Sequence, residues 1–334
     1  MKKQSKSIYV ALMDKIAVAM LVNQGAMIIL GMMVEGLEML FFGAGDVPKF
    51  YDIIFKALEC AAYFFSFVIP IAVFNKMNKN AEKEIYEPVE SEKIPNIQGF
   101  ALIGISLGVI MLVAYLNDFL VNIFWDYSSI FDNLWLTPLD YPYQRIFYFI
   151  YTAIIPAIAE EYFFRFTLCR SMKAWGKRSA IVISAVLFSM MHTNIGQSLY
   201  TFVAGLLLAY VYLETDNIAF PIAIHLLNNG IPTIGEMLGE KYGKTAYENY
   251  FKITDAVLLA ICLLCAMFFI RYIVKKGVLV EKLILKRDEN GEEVAPLSLG
   301  ERVSGFFSRG MTIFVIYSVI MTVSFILMSV GIYG

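Results

Sequence analysis

The chain has 334 residues, of which 59% are hydrophobic and 17% are charged. A soluble domain is about half apolar and about a quarter charged, so this composition indicates a polytopic membrane protein. The formal net charge of −2 gives no basis for binding nucleic acid. The four cysteines lie in apolar or helical contexts, which favours a packing role over a disulfide framework.

Apolar windows near the length of a membrane-crossing helix, about 20 residues, recur along the chain. The first follows Lys2, Lys3 and Lys6 and is too long for the core of a signal peptide, so we expect a retained helix. The predicted fold is all-α, with about eight to nine transmembrane helices. The candidate spans are residues 16–34, 57–74, 97–116, 145–168, 179–192, 198–213, 218–233, 256–274 and 311–332.

The loops between these spans alternate in charge. Lysines and arginines precede the first span and follow the second, fourth and eighth, whereas no basic residue lies between Asp118 and Arg145. The positive-inside rule then predicts a cytoplasmic N-terminus, in a plasma (inner) membrane because nothing indicates an organelle. Trp125, Trp135 and the tyrosines from Tyr127 to Tyr143 are typical of an aromatic belt at the outer interface. Farther along, Asn290-Gly291 is a hairpin-turn signal within a charged loop.

Two adjacent carboxylates and an arginine interrupt the fourth apolar window. An ionisable residue at membrane depth is costly and is by default a candidate functional residue. Glu161 and Arg165 are four residues apart and can pair on one helix face, whereas Glu160 points about 100° away from Glu161. One interpretation is a structural Glu161–Arg165 pair with Glu160 left for chemistry. The other is that all three mark a helix end, where their charges reach water.

Both histidines of the chain, His192 and His225, fall inside predicted spans. A single histidine in an apolar helix usually forms a packing contact with a neighbouring helix, but two of two favour a functional role. Phe188 precedes His192 by four residues and can pack on its ring, although core packing alone explains this residue. Asn229 follows His225 by four residues, and we expect it to set the tautomer of His225 by a hydrogen bond.

The turn near Trp175 brings these residues to one level. Glu160 precedes Trp175 by fifteen residues and His192 follows it by seventeen, so in an antiparallel pair their levels agree to about 3 Å. Pro156 lacks an N–H and therefore frees the carbonyl of Thr152, as tolerated where a helix lines a polar cavity. We therefore expect Glu160, His192 and His225 to face one buried polar active-site cavity.

Three motifs in this order resemble those of the CAAX-protease and bacteriocin-processing (Abi, CPBP) family, which includes the CAAX prenyl protease 2 type of intramembrane endopeptidase. They are Glu-Glu-x-x-x-Arg at Glu160–Arg165, Phe-x-x-x-His at Phe188–His192 and His-x-x-x-Asn at His225–Asn229. The implied organisation is N-terminal helices over residues 1–144, a core with the motifs over 145–236, and C-terminal helices with a charged cytoplasmic loop over 237–334.

The resemblance implies that Glu160 activates a water molecule and that His192 assists it. His225 and Asn229 would then stabilise the oxyanion or hold the water, and Glu161 and Arg165 would shape the site. Two histidines and a glutamate are also a zinc ligand set, so Glu160, His192 and His225 are candidate metal ligands, with Zn²⁺ as the candidate cofactor. The sequence does not separate metal-bound water from water activated by Glu and His alone.

The expected activity is endoproteolysis of a hydrophobic or lipid-anchored peptide within the membrane lipid, with no nucleic acid involved. A prenylated Cys-a-a-X protein and a small hydrophobic precursor, such as a bacteriocin, are both candidate substrates. The main alternative is a non-catalytic immunity or scaffold protein of the same fold. A proton-coupled transporter would more often show internal repeats, and a haem carrier would not need the Glu-Glu-x-x-x-Arg motif.

Overall fold

A computed structural model describes residues 2–43, 45, 47–79, 93–124, 139–276, 286–287, 293–294 and 297–329. These residues are helical apart from turns and two two-residue strands, which confirms the predicted all-α class. The strands, β1 (Lys286–Arg287) and β2 (Glu293–Val294), pair antiparallel. The helices are α1 (Lys2–Phe42), α2 (Lys49–Asn78), α3 (Asn96–Phe124), α4 (Pro142–Trp175), α5 (Lys177–Met191), α6 (Ile195–Thr215), α7 (Ala219–Tyr242), α8 (Lys244–Lys276), α9 (Leu299–Phe306) and α10 (Arg309–Ser329).

Six of the described helices, α1, α2, α3, α4, α6 and α8, are long and apolar enough to cross a bilayer. Counting α9 and α10, which meet at a 65° bend, as one span gives up to seven. The chain is therefore a multi-pass membrane protein, and its described residues contain fewer candidate spans than the eight to nine predicted. The predicted spans 179–192 and 218–233 account for the difference. They lie on α5, whose 15 residues reach only about 22 Å, and on α7, which carries Asn228, Asn229 and Glu236.

Helix α4 is not a regular α-helix throughout. It winds as an α-helix over Pro142–Phe149, as a π-helix over Ile150–Ile154, as an α-helix over Ile155–Glu161 and again as a π-helix over Tyr162–Cys169. Pro156 is the second residue of the middle α-helical part, where its missing N–H is tolerated. Because π-helical segments are rare and frequently occur at functional sites, the acidic pair lies on an unusual stretch of helix.

The core joins both ends of the chain to α4 and α5. Buried side chains of α1, α2, α4, α5, α6 and α10 form one apolar cluster, in which Phe163 and Phe164 are fully buried. The N-terminal and C-terminal helices are also linked by hydrogen bonding, since Asp14 Oδ1 accepts from the backbone N–H of Gly310 at 2.7 Å. The α1 and α10 helices therefore lie against the helices that carry the motifs.

Ion pairs secure the turn between α6 and α7. Asp216 has a left-handed backbone with φ of 51°, and its Oδ2 lies 2.6 Å from Lys93 Nζ. Burial raises the pKa of Asp216, but the hydrogen bond and the charge of Lys93 outweigh this effect and hold the pKa below its usual value. Lys177 pairs with Glu214 at 2.6 Å in the same region. These contacts tie α5 and the residues before α3 to the turn that precedes His225.

Part of the predicted aromatic belt and the predicted hairpin turn fall outside the described residues. Trp125, Tyr127 and Trp135 are among those not described, as are Asn290 and Gly291, although β1 and β2 flank that turn. The described tyrosines of the belt, Tyr141 and Tyr143, stack at 5.5 Å, and Lys49 Nζ lies 5.1 and 5.5 Å from their ring centroids.

Candidate active site

The two acidic residues of α4 are both buried. Glu160 is 3% exposed and Glu161 is 0% exposed, at the end of the α-helical part of α4. Arg165, also 0% exposed, follows in the π-helical part. Their burial contradicts the interpretation that these charges mark a helix end and reach water. Charged groups at such depth need partners, and the partners of the two carboxylates differ.

Glu161 is held by two basic side chains. Its Oε2 lies 3.1 Å from Nε of Arg165, as the four-residue spacing predicts, and its Oε1 lies 2.8 Å from Nδ1 of His225 on α7. Oε1 is therefore hydrogen-bonded, whereas Oε2 has the charge of Arg165 beside it but no hydrogen bond among the described residues. Removing one member would leave a buried charge without compensation, so this triad contributes to the packing of α4 against α7.

Glu160 faces a cavity. Its Oε1 accepts a hydrogen bond of 2.7 Å from the hydroxyl of Tyr63 on α2, while Oε2 is buried with no hydrogen-bond partner in the part of the chain described here. A cavity of about 420 Å³ adjoins this carboxylate. It is lined by Gln24, Met27 and Ile28 of α1, Tyr63 of α2, Glu160, Met191, His192, Thr193, and Met321 of α10.

His192 reaches the same cavity from the end of α5. Its Nδ1 lies 2.7 Å from the carbonyl oxygen of Phe188, so in the neutral ring Nδ1 carries the proton and Nε2 is the acceptor. The preceding residue is also held, because Gln24 Nε2 donates to the carbonyl of Met191 at 3.3 Å. The cavity therefore brings together a carboxylate with one oxygen lacking a hydrogen-bond partner and an imidazole with an accepting nitrogen. His225, which was expected to face the same cavity, is not among the residues that line it, because its Nδ1 is directed to Glu161.

Phe188 packs among several members of the site, as predicted for its contact with His192. The centroids of these two rings are 4.9 Å apart in an edge-to-face arrangement. The ring of Phe188 also lies 5.9 Å from that of His225, and the guanidinium carbon of Arg165 lies 4.4 Å from its centroid. This aromatic side chain thus fixes the spacing between the two histidines and partly compensates the buried arginine by a cation–π contact.

Asn229 does not hydrogen-bond to His225, contrary to the expectation from their spacing. Its Nδ2 donates to the carbonyl of Thr152 at 3.1 Å, and the Nδ1 of His225 is taken by Glu161. The carbonyl of Thr152 is the one that Pro156 leaves without its helical donor. A freed backbone acceptor is a better partner for the amide than an imidazole already engaged by a carboxylate, because a buried carbonyl without a donor is costly.

The candidate zinc ligands do not form a metal site in this arrangement. Within the described ranges, no three His, Cys, Asp or Glu side chains converge closely enough to hold a metal ion. Nδ1 of His225 is directed to Glu161 and Nδ1 of His192 to a carbonyl, which are contacts that a histidine also makes when it coordinates a metal through Nε2. In this arrangement Glu160, His192 and His225 do not converge as a ligand set, and no step below uses a metal.

Sequence reasoning missed the contributions of α1 and α2. Gln24 and its buried neighbour Asn23 are polar residues within the first apolar span. The rule that a polar residue at membrane depth is a candidate functional residue would have identified them. Tyr63 gave no comparable signal, because tyrosine is common in apolar helices and no spacing connects it with a motif nearly one hundred residues away.

Residues 142–231 match the family model described as type II CAAX prenyl endopeptidase Rce1-like. The match covers all three motifs and supports the resemblance to CAAX proteases over this segment. No curated protein and no solved structure matches the chain.

Proposed function

We propose that this chain, whose residues 142–231 match the type II CAAX prenyl endopeptidase Rce1-like family model, hydrolyses a peptide bond of a membrane-embedded or lipid-anchored peptide or protein. One observation carries the proposal. Glu160 is a buried carboxylate with one oxygen available, and it lines the same cavity as His192. The neighbouring Glu161 pairs with Arg165 and His225 and does not line this cavity, so Glu160 is the carboxylate that we assign as the base.

The reaction that this geometry supports is attack by water. Glu160 takes one proton from a water molecule in the cavity, and the water oxygen forms a bond to the carbonyl carbon of the substrate. His192 Nε2 accepts a hydrogen bond that orients the same water. The tetrahedral intermediate then collapses, the C–N bond breaks, and the proton held by Glu160 passes to the leaving nitrogen. Proton transfer by such a positioned base contributes typically about 10²- to 10⁴-fold to the rate.

Two side chains on α7, neither of which is among the residues lining the cavity, are assigned to the negative oxygen of that intermediate. Asn229 uses one N–H of its amide for Thr152, so its second N–H remains to donate. His225 directs Nδ1 to Glu161, which leaves Nε2 as its other ring nitrogen. A buried donor of this kind is worth about 10²- to 10³-fold in rate. Glu161, Arg165 and Phe188 hold these groups in place.

The cavity wall suits an apolar substrate. The cavity that contains Glu160 and His192 is also lined by four apolar side chains, those of Met27, Ile28, Met191 and Met321. Methionine is flexible and adapts to apolar groups of different shapes. This supports a hydrophobic or lipid-anchored substrate, either a prenylated Cys-a-a-X protein or a small hydrophobic precursor such as a bacteriocin. We place the protein in the plasma (inner) membrane with a cytoplasmic N-terminus, in contact with membrane lipid.

A comparison of released peptides tests the function. Membranes carrying the wild type and membranes carrying Glu160→Gln are prepared at equal protein level, and peptides released from each are identified by mass spectrometry. We expect at least one peptide to be released only by the wild type. If the two sets are identical and the variant keeps every phenotype of the wild type, the protein acts as a non-catalytic immunity or scaffold protein.

A further inference from the structure

Tyr63 lies outside the segment that matches the family, yet its side chain touches the proposed base. It belongs to α2, and its hydroxyl donates to Oε1 of Glu160 on α4 at 2.7 Å. This is a typical distance for an O–H group donating to an ionised carboxylate. The contact joins residues 97 positions apart, so only the packing of α2 on α4 creates it.

The surroundings fix the position of this phenol. The ring of Tyr63 packs at 5.5 Å against that of Phe67 and at 5.1 Å against that of Tyr151. Phe67 is fully buried. The backbone is held as well, because Ser66 Oγ donates to the carbonyl of Tyr63 at 2.6 Å and Asn23 Nδ2 of α1 donates to the carbonyl of Ser66 at 3.1 Å. A side chain restrained by two ring contacts and at its backbone directs its hydroxyl to one place.

The consequence concerns the two oxygens of Glu160. Oε1 is occupied by the phenol, whereas Oε2 is buried without a hydrogen-bond partner among the described residues. A carboxylate bonded at one oxygen has a fixed plane, so its other oxygen has a fixed direction. The Tyr63 bond therefore selects which oxygen of Glu160 is available to water.

We propose that Tyr63 is a positioning residue of the reaction, which holds Oε1 of Glu160 so that Oε2 accepts the proton of the attacking water. This inference rests on the proposed function. The proton balance is the one given above: Oε2 takes one proton from water and returns it to the leaving nitrogen, and Tyr63 keeps its own proton throughout. The site is then completed by α2, a helix that precedes the matched segment.

The test compares Tyr63→Phe with Tyr151→Phe. Both remove one hydroxyl and keep the ring, and the two rings pack on each other, but the bond to Glu160 comes from Tyr63. The probe is an internally quenched, farnesylated Cys-a-a-X peptide, with the purified full chain in phosphatidylethanolamine–phosphatidylglycerol vesicles. We expect Tyr63→Phe to lower kcat about 10- to 100-fold with little change in KM, the range for partners that orient a functional group, and Tyr151→Phe to leave both unchanged.

A second measurement does not depend on the substrate. The infrared band of the Glu160 carboxylate is identified from the difference between the wild type and Glu160→Gln. We expect this band to move in Tyr63→Phe and to stay in place in Tyr151→Phe. An unmoved band, or an undiminished kcat in Tyr63→Phe, overturns the role of Tyr63 while the proposed function stands. A wild type that cleaves neither the probe nor any membrane peptide removes the proposed function, and the inference with it.

Discussion

His225 Nδ1 and Glu161 Oε1 lie 2.8 Å apart in a buried contact, and this contact separates the tasks of two adjacent carboxylates. Glu161 also forms an ion pair with Arg165, so a guanidinium lies beside one of its oxygens and an imidazole is hydrogen-bonded to the other. Glu160 instead meets the hydroxyl of Tyr63 and has its second oxygen buried beside the cavity. A rotation of about 100° along the helix thus divides one Glu-Glu pair into a structural group and a group available for chemistry.

Glu160→Gln removes a base and keeps the shape of the side chain. We expect cleavage to fall by about 10³-fold or more, near the upper end of the contribution of a general base, with normal expression and membrane insertion. The measurement is turnover by the purified variant. Glu59→Gln is the matched control, because Glu59 is about one-third exposed and pairs with Lys56 on α2. Near-normal turnover by Glu160→Gln would show that another group activates the water.

Glu161→Gln and Arg165→Ala test the buried triad. Each leaves a buried charge without its partner, so we expect each to lower the free energy of unfolding by about 3–5 kcal/mol and to reduce activity as well. The double variant Glu161→Gln with Arg165→Ala should cost less than the sum of the single changes, because neither charge remains unpaired. Thermal melts in detergent measure this. Strictly additive losses would mean that the two residues do not act as a pair.

Chelation tests whether the attacking water is activated by a metal ion or by the side chains alone. The nitrogens and carboxylates of the site do not converge on a metal position, so we expect activity to survive exhaustive treatment with a chelator. Elemental analysis of the purified protein accompanies the assay. Stoichiometric zinc that is lost in both His192→Ala and His225→Ala, together with activity lost on chelation, would establish a metal site instead.

Met321→Trp tests the cavity as the substrate site. Met321 of α10 lines the cavity, so an indole there should reduce its volume and raise KM or abolish cleavage. Ile320→Trp is the control on the neighbouring residue, which is 57% exposed on the surface of α10. Its kinetics should match those of the wild type. Equal effects of the two changes would indicate a general perturbation of α10.

Asp216→Asn gives a pH-dependent change in stability. The pKa of Asp216 lies below its usual 3.8, because the bond and charge of Lys93 outweigh burial. A carboxyl with a lowered pKa stabilises the folded state above its unfolded pKa, and this stabilisation is lost as pH falls through the folded pKa. We expect the variant to be less stable by about 0.5 kcal/mol at pH 7, as for a partly exposed pair, with the difference shrinking as the pH falls below 3.8 and vanishing below the folded pKa. If the difference in stability between the wild type and Asp216→Asn persisted in acid, its cause would be an altered turn conformation and not the lost charge.

Much of the site could be predicted because its signals are local. The spacing of Glu161 and Arg165 predicts their pairing, that of Phe188 and His192 predicts their ring contact, and Pro156 predicts a freed Thr152 carbonyl. The structure contains the first two features, and the Thr152 carbonyl accepts a hydrogen bond from the side chain of Asn229. Each depends on helical geometry over four residues, which the sequence specifies directly.

Contacts between distant helices were decided by packing alone. Tyr63 and Gln24 come to the site from α2 and α1, and Met321 comes from α10, near the other end of the chain. The predicted hydrogen bond between Asn229 and His225 was also wrong. Helical spacing permits that bond, but the packing of α7 on α4 brings the Thr152 carbonyl within hydrogen-bonding distance of Asn229 instead.

The sequence by itself determined that the chain is a helical membrane protein with an acidic pair and two histidines on apolar helices, since composition and four-residue spacing are local properties. Only the tertiary structure decided which carboxylate keeps an available oxygen. That choice depends on His225, Arg165 and Tyr63, which reach the pair from different directions when α7 and α2 pack on α4. A buried carboxylate is satisfied by whichever partners the packing brings within hydrogen-bonding distance.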